Sequence, residues 1–151
     1  MLERHQIVGK RVVRLLQTPW TAFDGVELDG IAGRRWFACD CFVELEGGQL
    51  MKLDAEDVGF ELMDVSSLIP AEAMGEDPKA FLPGKVVRVV TCELDDQLML
   101  VLEHGRYITN DHQIPGGNRF YLGTFDEWSR EDKEAQFLDF WDRTPVIPWG
   151  A

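Results

Sequence analysis

Two stretches of this chain read alike. Gly9-Lys10-Arg11-Val12-Val13-Arg14-Leu15-Leu16 is echoed by Gly84-Lys85-Val86-Val87-Arg88-Val89-Val90, with the glycines 75 residues apart. Further on, Leu45-Glu46-Gly47-Gly48 is matched by Leu102-Glu103-His104-Gly105, now 57 residues apart, and Asp54 is matched by Asp111 at that same offset. The offsets differ by 18, the length of an insert in the first copy. That insert, roughly residues 17–34, is full of turn formers: Thr18-Pro19, Asp24-Gly25, Asp29-Gly30 and Gly33.

Each copy reads as strand, connection, strand, tight turn, strand. Phe37, Cys39, Cys41, Val43 and Leu45 share one face by period two, while Trp36, Ala38, Asp40, Phe42 and Glu44 share a more mixed one. Leu98, Leu100 and Leu102 hold the equivalent inward row of the second copy. Glu46-Gly47-Gly48 and Glu103-His104-Gly105 place glycine where a hairpin needs positive φ. Returning strands are predicted at 49–53 and 106–109, and a further strand at 119–122.

The expected fold is therefore α+β, mainly β: two diverged β-hairpin repeats, approximately 9–57 and 84–113, forming an antiparallel sheet, a sandwich or an open barrel. An acidic connector, 54–83, joins them, with a short helix predicted at 71–74. A C-terminal α-helix is predicted over approximately 129–143. Ser129 caps it, Asp132 follows three residues on, Ala135, Phe137, Leu138 and Trp141 form its apolar stripe, and Thr144-Pro145 stops it. The tail Val146-Ile147-Pro148-Trp149 is expected to dock back on the sheet. At 151 residues the whole chain matches one domain.

Charge narrows the choice of partners. The net charge is −12, and the stretch from Asp54 to Pro78 holds eight acids and no base. Phosphate neutralisation needs clustered Lys and Arg, so duplex nucleic acid and anionic membrane are excluded as direct partners. A basic protein is favoured. The opening segment, MLERHQIVGKRVVRLL, has no apolar core of useful length, and no stretch approaches the ~18 apolar residues of a membrane span. Three cysteines without a disulfide framework point to a cytoplasmic protein with reduced thiols.

Catalytic and cofactor patterns are weak throughout. Cys39-Asp40-Cys41 has the look of a metal or redox pair. On a strand, however, both thiols project from the apolar face, where geometry resists a disulfide between them and sulfur packs as a small hydrophobe. A zinc site would have to draw on Cys92, His104 and His112. Asn110-Asp111-His112 is the best acid/base candidate. Yet adjacent residues of an extended segment point to opposite sides, and the repeat partner Asp54 has no histidine beside it. No metal, cofactor or catalytic residue is assigned.

Trp20 and Phe23, inside the turn-rich insert, are candidate aromatic anchors for a partner, beside Asp54, Glu56, Asp57, Glu61 and Asp64 as an acidic surface. In size, charge and lack of catalytic pattern the chain resembles the small acidic immunity proteins with which bacteria neutralise a cognate toxin. It is likewise similar to nucleic-acid-mimicking inhibitors. That resemblance implies a non-enzymatic binding domain, monomeric or homodimeric, directed at a basic protein. The alternatives are a structural protein acting through self-association and a small hydrolase or metal-dependent enzyme using Asp111 and His112.

Overall fold

The computed structural model describes residues 2–23, 36–53, 59–61, 65–92, 97–114 and 117–149, and within these the side chains of all but 21–23, 36–38, 111–114 and 117–118. The chain is mainly β. In order, its strands are β1 (Arg11–Gln17), β2 (Thr21–Phe23), β3 (Trp36–Ala38), β4 (Cys41–Leu45), β5 (Leu50–Lys52), β6 (Gly59–Glu61), β7 (Ile69–Pro70) and β8 (Ala73–Gly75). One turn of helix, α1 (Pro78–Phe81), follows. Then come β9 (Gly84–Cys92), β10 (Leu98–Leu102), β11 (Arg106–Ile114), β12 (Gly117–Thr124), β13 (Phe137–Asp139) and β14 (Pro145–Val146).

Twelve of these strands form one open sheet, nine of them along the path β6-β5-β4-β1-β9-β10-β11-β12-β8 with β7, β13 and β14 paired off it, and β2 pairs with β3 as a separate ribbon. Two antiparallel meanders, β1-β4-β5-β6 and β9-β10-β11-β12, meet where Arg11 and Val12 pair with Lys85 and Gly84. Beyond that short junction β1 and β9 part. The far end of β1 takes β7 as its neighbour, Leu16 opposite Pro70, while the far end of β9 takes β13. Three residues after Pro70 the chain enters β8, parallel to β12, so the segment 69–75 runs from the first meander to the far edge of the second.

Alternation accounts for the core. Cys41, Val43 and Leu45 on β4 and Leu98, Leu100 and Leu102 on β10 all point to one central cluster, with Val86, Val89, Ile108, Phe120 and Leu122. On β1 the register slips between Val12 and Arg14, which leaves Val13 exposed. That bulge puts Val12 and Leu15, three residues apart, on the same inner face. The opposite face is covered in patches: Leu16, Phe42, Leu50 and Leu68 at one end, and an aromatic group at the other. The hairpin turns have the backbone that their residues imply. Gly47 and Gly48 lie at φ +91° and +88°, and Gly105 at +69° beside His104 at +66°.

Two predicted helices are absent. The segment 71–74 is extended, because β8 is held against β12 by Ala73, Met74 and Gly75 opposite Phe120, Tyr121 and Leu122. Gly75, at φ +86°, is required there: a Cβ would run into the Leu122 carbonyl. Over 129–143 the capping signal is real but short-lived. Ser129 N–H donates to Asp132 Oδ2 at 2.8 Å and Asp132 N–H to Ser129 Oγ at 3.1 Å, and only a single 3-10 turn, Asp132–Glu134, follows. From Phe137 the chain is a strand, pairing Phe137, Leu138 and Asp139 with Cys92, Thr91 and Val90. The half of β9 that β1 leaves needs a partner for its backbone, and that demand overrides the helical spacing of the apolar residues.

A turn closes this strand. Asp139, 9% exposed, accepts from Arg4 Nη2 at 2.8 Å and from the backbone N–H groups of Trp141 and Asp142 at 3.0 and 3.1 Å. Arg143, at φ +61°, ends the turn and donates to Thr91 Oγ1. Trp141 Nε1 donates to the Leu2 carbonyl. The tail then returns to the sheet, with Trp149 in the aromatic group.

Candidate functional site

The outer face of β10, β11 and β12 supplies the floor of a groove of about 640 Å³. Met99, Tyr107, Thr109 and Tyr121 line it from the strands. Trp128, Glu131, Asp132, Ala135 and Phe137, from the segment that follows β12, line it from above. That volume lies within the span typical of ligand sites. The same capping box that fails to start a long helix succeeds here in folding residues 129–134 over the sheet.

The floor is built around Tyr107. Its cross-strand partner is Gly123, and any Cβ at that position would collide with the Tyr107 ring and hydroxyl. Glycine therefore lets the phenol lie flat across β12. Tyr107 stacks near Tyr121 at 6.3 Å and packs against Phe125 at 4.9 Å, and it meets Trp128 edge-on at 5.5 Å. Trp128 Nε1 donates to the Tyr107 hydroxyl at 2.9 Å. Burial pushes the Tyr107 phenol above its ordinary value of 10.0, with that hydrogen bond opposing the shift. Trp149 completes the cluster against Phe125, Trp128 and Phe137.

Carboxylates form the lip. Glu127, Glu131 and Asp132 border the opening, and Glu127 is in turn hydrogen-bonded to Glu76, just beyond β8. Two carboxyl groups that close share a proton readily, so the Glu127 carboxyl is raised above 4.5 by Glu76, through the hydrogen bond first and the like charge second. Next to the groove, Lys133 Nζ lies 5.8 Å from the ring centroid of Trp149, the neighbour of Trp128 and Phe137.

The anchors expected from sequence lie elsewhere. Trp20 is half-buried, with the Arg119 guanidinium 5.2 Å from its ring centroid. Phe23 ends β2 opposite Trp36, its side chain outside the described residues. Glu61 ends the edge strand β6 and is half-buried. Asp54, Glu56, Asp57 and Asp64 lie outside the described residues. Asp111 and His112 have their backbones in β11, Asp111 opposite Arg119, with their side chains likewise outside. Among the described residues no group of three or more His, Cys, Asp or Glu side chains is arranged to hold a metal ion, and no helix is long and apolar enough to cross a membrane.

Sequence reasoning missed Tyr107, Tyr121, Glu127 and Glu131. The signal was present: Tyr107 and Thr109 alternate with Ile108 along a predicted strand, which sends them to the face opposite the core. What lay hidden was the register that sets Gly123 opposite Tyr107. Phe137, expected on the apolar stripe of a helix, instead packs from the strand β13 into the aromatic group with Trp128. No protein-family model, curated protein or solved structure matches the chain.

Proposed function

We propose that this chain is a non-enzymatic acidic binding domain that captures a basic segment of a protein partner, in the manner of an immunity-type or inhibitor protein acting in the cytoplasm. The observation that carries the reading is the groove over Tyr107, Tyr121, Trp128 and Phe137, bordered by Glu127, Glu131 and Asp132. Aromatic faces attract ammonium and guanidinium groups, and carboxylates at the rim steer them in and select against anions. The net charge of −12 extends that steering over the surface. The proton that Glu127 and Glu76 share readily is one that an incoming cation would displace. On this reading the two meanders are diverged copies of one unit, and only the second has acquired the aromatic floor.

The test is titration of the protein with a Lys- and Arg-rich peptide, followed by tryptophan fluorescence. Glu127→Gln and Glu131→Gln keep side-chain shape and remove charge. Each is expected to weaken binding roughly two- to fivefold at low ionic strength, with the difference vanishing in high salt. Equal affinity of the double variant and the parent at low salt would end the proposal.

A further inference from the structure

Which cation the groove takes depends on what its floor still offers. Tyr107 and Tyr121 are diagonal neighbours across β11 and β12, with ring planes 21° from parallel. Trp128 stands at 72° to Tyr107, its Nε1 edge tied to the Tyr107 hydroxyl, so floor and wall meet in an aromatic corner. Tyr121 and Trp128 are half-buried and line the open space, while Tyr107 and Phe137, 6% and 5% exposed, back them. The wall is fixed before any ligand arrives, because Trp128 also packs against Phe125, Phe137 and Trp149 at 5.0, 5.6 and 5.9 Å.

Three polar side chains of the floor are already engaged within the protein. The Tyr107 hydroxyl accepts from Trp128 Nε1, Thr109 Oγ1 donates to the Leu98 carbonyl, and Gln97 Nε2 donates to the Asn110 carbonyl. The carboxylates stand at the exposed rim instead, where Glu127 is hydrogen-bonded to Glu76 and Asp132 accepts from the Ser129 N–H. A primary ammonium or a guanidinium brings N–H donors that lose water on entering such a floor and must find acceptors there. A trimethylammonium brings none. Its charge is spread over methyl groups that rest directly on ring faces.

Building on the reading of the groove as a site that captures a basic segment, we propose that its ligand is a trimethylated lysine side chain carried on that segment. The quaternary head sits in the corner of Tyr121 and Trp128, and Glu127, Glu131 and Asp132 supply the counter-charge from the rim. At about 640 Å³ the groove has room for the lysine stem and flanking residues as well as the head. The net charge of −12 attracts the other basic residues of the segment, which favours a protein ligand over a free quaternary amine.

The full chain is titrated by calorimetry with four probes. Three are one basic peptide whose central lysine is unmodified, trimethylated, or replaced by the neutral isostere with carbon in place of the quaternary nitrogen; the fourth is choline. The trimethylated peptide is expected to bind at least about fivefold tighter than each of the other three. Its N-methyl protons are expected to show nuclear Overhauser contacts to the rings of Tyr121 and Trp128. Tyr121→Leu is expected to reduce the preference for methylation below about twofold, and Tyr121→Phe to keep it. Equal affinity for the unmodified and trimethylated peptides would overturn this proposal and leave the capture of basic segments standing, whereas binding of neither would remove both. Equal affinity for the neutral isostere would make the groove a purely apolar pocket, and equal affinity for choline a site for a free quaternary amine. Either result, or N-methyl contacts to other rings alone, would also overturn the proposal. The measurements on the parent chain do not depend on any variant folding.

Discussion

Tyr107 joins three roles in one side chain: it floors the groove, anchors Trp128, and keeps a phenol mostly out of water. The last has a consequence with a definite sign. Its folded value is raised above 10.0, so the folded state favours the neutral phenol. The corresponding stabilisation is complete below the unfolded value and is lost as pH rises from there through the folded one. Urea melts at increasing alkaline pH are expected to show stability falling above about pH 10, with a smaller fall in Tyr107→Phe. Only two tyrosines are present, so a Tyr121→Phe background isolates the absorbance titration of Tyr107. A Tyr107 midpoint at or below that of a free phenol would refute this account.

At the scale of elements, the segment 129–143 shows what local pattern carries and what it cannot. The Ser129–Asp132 box was legible because its partners are three residues apart. The strand after it was not, because its cause is the vacant half of β9, far away in sequence. The hairpin turns and the inward row of β10 were legible for the reason that the cap was: each depends on neighbours within a few residues. The groove needed a register between β11 and β12 and a lid built from the mis-read segment, so little of it could be read in advance. The turn that ends β13 depends on one carboxylate. Asp139→Ala removes the acceptor used by Arg4, Trp141 and Asp142 and is expected to cost about 2–3 kcal/mol in a urea melt. Asp139→Asn, which keeps one acceptor oxygen, is expected to recover part of that loss, and a cost of Asp139→Ala below about 0.5 kcal/mol would show that the turn holds without it.

Over the whole molecule, charge works against compaction. A net charge of −12 on 151 residues sets like charges against one another. Added salt is therefore expected to raise the melting temperature by a few degrees between about 0.01 and 0.3 M, over which the screening length shrinks severalfold. A melting temperature that falls over that range would mean that attractive pairs, such as Arg14–Glu44 at 2.6 Å, dominate instead.

The contacts of Leu2 with Trp141 and of Arg4 with Asp139 also bear on timing. A ribosome delivers the first of these partners long before the second. Until the residues around 137–141 emerge, half of β9 is paired on the β10 side alone and the opening turn has nothing to close upon. Completion of this sheet must therefore wait for Phe137–Asp139 to be made, and a nascent chain stalled before Phe137 would present the bare edge of β9 to whatever meets it first.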